Sequence, residues 1–226
     1  MIFGAFMKDT SMRNIARFLA LTFIVLVATG SGLQAALITI NLTAEVSGVN
    51  DRDGLLEGRI NVGDDITGIY TYDSDTPDSN PLYAVGDYQH YFWPSGITLS
   101  AGGFVFQTDP IHVDFLMEII DNQIGVDGYL IRSYRNLPLS NDVIVEHISW
   151  QLDDYSMTAL SSVALPTTAP VLEDWESNYL LITFGFKGYA SIQATVTSVE
   201  IVPEPSSAVI LAIGALLLRR RRRLIG

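Results

Sequence analysis

Hydrophobic residues in this chain alternate with polar ones at a period of two. From Ile38 to Val46, every second residue is apolar, with threonine, asparagine or glutamate between. Because successive side chains of a β-strand point to opposite faces, this pattern predicts a strand with one buried face. Comparable β-rich segments occur at 66–72, 97–100, 104–107, 111–120, 125–132, 144–152, 180–186 and 189–202.

Two pairs of these segments are expected to form hairpins. Ala101-Gly102-Gly103 separates segment 97–100 from segment 104–107, and Asp121-Asn122 lies between the next two segments. Glycine, aspartate and asparagine are the residues that tight turns use.

Two later segments also have a predicted buried face. The expected inward-facing residues are Ile144, Ile148, Trp150 and Leu152 in one segment, and Leu180, Ile182, Phe184 and Phe186 in the other. Glu146 is the exception, because strict alternation places it on the same face as its apolar neighbours.

Eight or more short strands, turn-rich connections and the lack of a long amphipathic helix predict an all-β fold. We expect one antiparallel β-sandwich domain over residues 36–202, with a jelly roll as one plausible arrangement. Alternation alone does not give the strand order.

The C-terminal residues 203–226 have three consecutive features of a membrane-tethered tail. The motif Pro203, Glu204 and Pro205 is followed by the apolar stretch 208–218 and then by Arg219, Arg220, Arg221, Arg222 and Arg223. The prolines delay the start of a helix, and the stretch is apolar on every face, which suits a lipid-facing transmembrane helix. The arginines would stay on the cytoplasmic side. The alternative is a terminal core helix with a solvated basic end.

This order of features resembles the PEP-CTERM sorting signal of Gram-negative bacteria. The resemblance implies that an exosortase-like membrane protease recognises Pro203, Glu204 and Pro205 and cleaves close to them. It also implies an association with exopolysaccharide and biofilm. The protein would be anchored by its C-terminus in the inner membrane during sorting, and would then reach the cell surface or extracellular matrix.

Residues 1–35 have the layout of a secretory signal peptide. Basic residues precede the apolar run 18–28, and small residues lead to Ala35 and Ala36. The general secretion machinery and signal peptidase act on such segments, so we expect export and cleavage between Ala35 and Ala36. A retained N-terminal anchor is the alternative.

The body of the chain is strongly acidic. The sequence has 25 acidic and 13 basic residues, a net charge of −12. Residues 1–35 hold three basic and one acidic residue, and the tail holds five arginines, which leaves 24 acidic and five basic residues in 36–218, a net charge of −19. Such a surface repels nucleic acid and attracts cations or basic partners, so nucleic-acid binding is not expected. The absence of cysteine excludes disulfides and thiolate catalysis.

An acidic turn contains the candidate cation ligands Asp73, Asp75, Asp78 and Asn80. Short oxygen-bearing side chains that lie close together suit Ca²⁺. The spacing differs from that of an EF-hand loop, since Pro77 displaces the third acid. The alternative is an Asx-rich turn whose side chains bond to their own backbone. No other cofactor is indicated.

Aromatic residues crowd the region after this turn. Tyr88, Tyr91 and Trp93, together with Asp87, form a candidate glycan site, because rings stack on sugar faces and a carboxylate accepts hydroxyl protons. Alternation favours core packing instead, with Tyr91 and Trp93 on one face and Phe92 on the other.

Sequence motifs of catalysis are missing. The three histidines are isolated, and there is no Gly-x-Ser-x-Gly, His-Glu-x-x-His or phosphate-binding loop. Asp114, Glu118 and Glu146 lie on predicted strands and are the carboxylates that a hydrolase could use.

The sequence therefore favours an exported envelope or matrix protein with a structural or interaction role and no enzymatic activity. The alternative is a Ca²⁺-dependent or lectin-like carbohydrate-binding module. A glycoside hydrolase is the less favoured alternative.

Overall fold

The computed structural model describes residues 37–186 and 190–203, which form ten β-strands and one 3₁₀ turn at Leu172–Asp174. The strands are β1 (Leu37–Asn50), β2 (Asp65–Asp73), β3 (Val85–His90), β4 (Gly96–Ala101), β5 (Phe104–Gln107), β6 (Phe115–Gln123), β7 (Val126–Ser133), β8 (Val145–Asp154), β9 (Ser177–Phe184) and β10 (Ala190–Ile201). Among these residues there is no helix with the length and apolar character needed to cross a membrane. The cleavage site at Ala35 and Ala36, and the tail from Glu204 onward with its five arginines, lie outside the described residues.

All ten strands belong to one antiparallel sheet with the order β3-β6-β7-β8-β9-β10-β1-β2-β4-β5, so β3 and β5 are the edge strands. From β6 to β10 each strand pairs with the next one along the chain, as short connections favour. The all-β antiparallel prediction is confirmed. Both predicted hairpins are confirmed too, since β4 pairs with β5 and β6 with β7.

Two distant parts of the sheet meet across the core. Tyr70 of β2 and Tyr129 of β7 have their hydroxyl oxygens 2.9 Å apart, and the ring centroid of Tyr70 is 6.0 Å from that of Trp150 in β8. In the sheet order, five strand spacings separate β2 from β7, which would be roughly 24 Å on a flat sheet. The contact therefore requires the sheet to curl around its buried side chains.

A β-bulge changes the face predicted for the start of β8. Val145 and His147 pair with consecutive residues of β9, so Glu146 is an extra residue without a partner there. Because side chains alternate between the two faces of a strand, one inserted residue moves every residue before the bulge to the opposite face. As a result Val145 is buried and Ile144 is exposed, and the prediction that Ile144 faces inward is wrong.

Other strand predictions have mixed outcomes. The prediction for Phe186 is wrong, because β9 ends at Phe184 and Phe186 is exposed. The strand expected from residue 111 begins only at Phe115, and β3 was not predicted. The remaining predicted inward-facing residues are buried: Ile148, Trp150, Leu152, Leu180, Ile182 and Phe184.

The strand registers bring the ends of several strands to one level. Six residues lie at this level, which we call the cleft end: His90, Phe115, Ser133, Val145, Phe184 and Ala190. The other end of β10 lies beside the start of β1, where the Val202 amide donates to the Thr39 carbonyl at 2.8 Å. The described chain therefore begins and ends side by side. Because the sheet curls, its start also lies near the cleft end: Leu37 pairs with Asp73, whose carbonyl is 3.3 Å from Nε2 of His90.

Candidate functional site

An open cleft of about 460 Å³ lies at the cleft end. The β5–β6 loop, the β7–β8 loop and the start of β8 contribute its lining: Asp109, His112, Tyr134, Arg135, Asn136, Ile144, Val145 and Glu146. The Asp109 amide donates to the Arg135 carbonyl at 2.9 Å, which fixes the two loops against each other. The cleft therefore rests on hydrogen-bonded loops at the ends of adjacent strands.

One wall of the cleft contains a carboxylate–imidazole pair. Nδ1 of His112 lies 3.0 Å from Oδ2 of Asp109, and the Ile111 amide donates to Oδ1 of the same carboxylate at 2.8 Å. These bonds, with that from His112 the strongest, hold the pKa of Asp109 below its ordinary value. Asp109 is thus an ionised, oriented hydrogen-bond acceptor.

Glu146 reaches the cleft because of the bulge in β8. It is half-buried, lines the cleft, and forms no hydrogen bond or ion pair with another described residue. Bulges often re-aim a side chain next to a binding site. Glu146 is therefore the one cleft carboxylate, among the described residues, that has no internal partner.

An aromatic ring forms another part of the lining. The ring of Tyr134 stacks on that of His147, with centroids 5.3 Å apart and planes 27° apart. Burial, and to a lesser degree the charge of Arg132, lower the pKa of His147, so the imidazole favours its neutral form. This stack uses one face of Tyr134, and the side chain is 43% exposed.

The charges around the cleft are mainly negative. Nε of Arg135 lies 3.8 Å from Oδ2 of Asp114, and Gln89 donates to Oδ1 of Asp114 at 2.9 Å. The lining therefore holds two carboxylates, Asp109 and Glu146, and one guanidinium, Arg135, which pairs with Asp114 just outside it. Arg132, whose charge acts on His147, is itself paired with Glu118. A cation is attracted to such a site and an anion is repelled.

The aromatic residues after β3 are on the surface. Tyr91, Phe92 and Trp93 are 62%, 83% and 55% exposed, so the core packing expected for some of the rings is wrong for Tyr91 and Trp93 and holds for Tyr88. They follow His90 in the loop that leaves an edge strand, where no neighbouring strand covers them, and Trp93–Pro94 is a cis peptide bond. The register of β3 places this loop at the cleft end.

The other two predicted glycan-site residues lie elsewhere. Tyr88 is buried and its hydroxyl donates to the Val163 carbonyl at 2.7 Å. Asp87 lies on the opposite face of β3, where it pairs across the sheet with Glu118. Only Tyr91 and Trp93 of the predicted set are therefore available on the surface at the cleft end.

The candidate calcium ligands bond to the protein itself. Asp73 accepts from the Asp75 amide at 2.9 Å, Asp78 accepts from the Asn80 amide at 2.8 Å, and Asn80 accepts from the Leu82 amide at 3.0 Å. These are the bonds of the Asx-rich alternative. Among the described residues, no group of three histidine, aspartate or glutamate side chains is arranged to hold a metal ion.

The three carboxylates proposed for a hydrolase do not share the cleft. Glu118 lies on β6 opposite Asp87, and its Oε2 is 3.9 Å from Nη1 of Arg132. Burial raises the pKa of Glu118, and the neighbouring Asp87 raises it further. Oδ1 of Asp87 is buried without a hydrogen-bond partner among the described residues. Of the three, only Glu146 lines the cleft.

Sequence reasoning missed most of the cleft. Asp109, Tyr134, Arg135 and Asn136 were not predicted as site residues, because they lie in loops that no motif marks. Of the residues that line the cleft, only Glu146 was predicted as a site residue. It stands out in the sequence because it breaks the apolar pattern of its strand. No protein-family model, curated protein or solved structure matched the chain.

Proposed function

We propose that this is an exported interaction protein of the cell envelope or extracellular matrix that binds polysaccharide at its cleft end. The observation that carries the proposal is the presence of Tyr91, Phe92 and Trp93, three exposed aromatic residues in sequence, at the same end as a polar cleft. Exposed rings bind the apolar faces of sugars, and fixed polar groups bind their hydroxyls. Contiguous exposed aromatic surface commonly marks an interaction site.

Export belongs to the same proposal. The sequence of residues 1–35 supports entry into the general secretion pathway through signal peptidase. Pro203, Glu204 and Pro205 and the five terminal arginines support sorting by an exosortase-like protease. The exopolysaccharide that such sorting accompanies is the partner we assign to the cleft end.

A sandwich architecture is the finer description of the fold that we propose. The contact between Tyr70 and Tyr129 supports it, because it joins two halves of the sheet across one core. The sequential order of β6 to β10 favours a meandering sandwich over a jelly roll.

We propose binding rather than hydrolysis. Glu118 and Asp114 lie outside the cleft lining, and Asp109 is held by His112. Paired carboxylates with separate acid and base roles are what a glycoside hydrolase needs. We propose binding that does not depend on calcium, since Oδ1 of Asp73 and Oδ1 of Asp78 bond to backbone amides of their own turn.

The sorting part is tested by localisation of a tagged chain in its host. Deletion of Arg219–Arg223 is expected to change the distribution between membrane and medium and the mass of the mature protein. If neither changes, the sorting proposal fails.

The binding part is tested by co-sedimentation of the full chain with the polysaccharide of its own host. Trp93→Ala is expected to weaken binding about tenfold, through loss of ring stacking. Tyr83→Ala is the matched control, because Tyr83 is an exposed aromatic residue that precedes β3, whereas Trp93 follows the other end of that strand. Equal effects of the two substitutions would count against a site at the cleft end.

A further inference from the structure

We propose that the cleft binds the protonated amine of an amino sugar, with the Glu146 carboxylate as the acceptor. The inference rests on the proposed polysaccharide binding and adds the chemical class of the ligand: a polymer with free amino groups rather than a neutral or anionic one.

The bulge in β8 gives the first argument. A strand without it would place Glu146 on the inward face with Ile148 and Trp150, where a carboxylate would be buried without a partner. The bulge instead brings Glu146 into the cleft lining, half-buried and without an internal partner. A half-buried carboxylate is a stronger acceptor for an ammonium group than a fully solvated one, because less water screens it.

Charge gives the second argument. Asp109 shares the lining with Glu146, and Arg135 is the single guanidinium of the lining. Nε of Arg135 lies 3.8 Å from Oδ2 of Asp114, which offsets part of its positive charge. The body of the chain, residues 36–218, carries 24 acidic and five basic residues. An anionic polysaccharide would be repelled at long range, and a cationic one would be attracted.

The aromatic wall gives the third argument and favours a sugar over a basic peptide. The ring of Tyr134 is held in place by its stack on His147 and lines the cleft. A fixed exposed ring suits the apolar face of a pyranose. Asp109, which is ionised and oriented by His112, adds an acceptor for a sugar hydroxyl.

The test compares three tetrasaccharides of the same β-1,4 linkage: glucosamine, N-acetylglucosamine and glucose. Binding to the full chain, purified in detergent, is measured by calorimetry at a pH where the amine is protonated. We expect the glucosamine form to bind at least about tenfold more tightly than the other two, as a charge-assisted hydrogen bond provides.

Three variants locate the effect. Glu146→Gln is expected to remove the preference for the amine, measured as the ratio of the affinities for the glucosamine and glucose forms. Glu200→Gln removes the same charge from an exposed position near the end of β10 that is farthest from Ala190, so it should keep the preference. Tyr134→Ala should weaken the binding of all three sugars equally, because stacking of the ring on a sugar face does not involve the amine.

The possible failures are distinguishable. Equal binding of the three sugars, or tighter binding of the acetylated form, would overturn the inference and leave polysaccharide binding intact. A preference that survives Glu146→Gln would also overturn it. If the protein binds none of the three sugars and no polysaccharide of its host, both proposals fail. If a lysine oligopeptide competes as well as the glucosamine form, and if Tyr134→Ala does not change the binding of that peptide, the ligand of the cleft is a basic peptide and not a sugar.

Discussion

The backbone amide of Asp87 donates a 2.9 Å hydrogen bond to Oδ1 of Asp78. Asp87 lies on β3, an edge strand, and Asp78 lies in the acidic turn. The Ser79 amide donates back to the Asp87 carbonyl at 2.9 Å, and Asn80 donates to Oδ2 of Asp87 at 2.9 Å. The turn therefore covers the free side of the edge strand, where unpaired backbone groups could otherwise form hydrogen bonds with a strand of another molecule.

Asp78→Ala is expected to destabilise the domain by about 1 kcal/mol, because the Asp87 and Asn80 amides lose a charged acceptor at the surface. It should also increase self-association through β3. Urea unfolding measures the first effect and light scattering the second. Asp75→Ala is the control, since the Asp75 side chain forms no hydrogen bond with another described residue and its backbone amide remains in place. Equal scattering of the two variants would contradict the role in edge protection.

Calcium is expected to leave the melting temperature of the protein unchanged. Oδ1 of Asp73, of Asp78 and of Asn80 each accept a backbone amide, so the turn is held by its own hydrogen bonds without a cation. Melting curves with and without calcium, with magnesium as the control ion, provide the measurement. A melting temperature that rises with calcium concentration alone would identify the turn as a cation site by linkage.

Glu118→Gln is expected to stabilise the protein at neutral pH. Burial raises the pKa of Glu118 in the folded state, so its contribution to stability is complete below the unfolded value of about 4.3 and is lost as the pH rises through the folded pKa. The neighbouring Asp87 disfavours ionisation of the Glu118 carboxyl, and Arg132 favours it. Unfolding free energies from pH 4 upward should show an advantage of the variant that grows with pH. An advantage independent of pH would contradict this explanation.

Asp154→Asn is expected to destabilise the protein at neutral pH and to weaken its acid sensitivity. Hydrogen bonds, of which that from Ser156 is strongest, lower the pKa of Asp154. Its stabilising effect is therefore complete above the unfolded value of about 3.9 and is lost as the pH falls through the folded value. Acid unfolding curves test this. Asp153→Asn is the control, because within the described part of the chain its carboxylate accepts hydrogen bonds from the Gln151 side chain alone.

The parts of the fold that sequence could predict are those set by local alternation. Ile40, Leu42 and Ala44 are buried as expected, because a strand face depends only on chain order. The bulge at Glu146 could not be predicted, since it depends on the register with β9. Likewise β3 gains its structure from pairing with β6, and its own sequence is weakly patterned.

The cleft depends on tertiary structure even more. Asp109 and Glu146 are distant in the sequence. They line the same cleft because the start of β6, the end of β7 and the start of β8 lie at the same level. The acidic turn was recognised as a cluster of oxygen ligands, but its actual partner, Asp87, belongs to a strand that was not predicted. Trp93 lies in the loop after β3, where the alternation of a strand no longer applies, so its exposure could not be predicted from the pattern.

The curl of the sheet also decides which residues become neighbours of the first described strand. Leu37 pairs with Asp73, and the Asp73 carbonyl lies 3.3 Å from Nε2 of His90, the last residue of β3. The start of β1 is therefore close to the strand that leads into the exposed aromatic loop, although the two are far apart in the sequence. A substitution at the beginning of β1 could thus alter the support of Tyr91 and Trp93 without touching either ring.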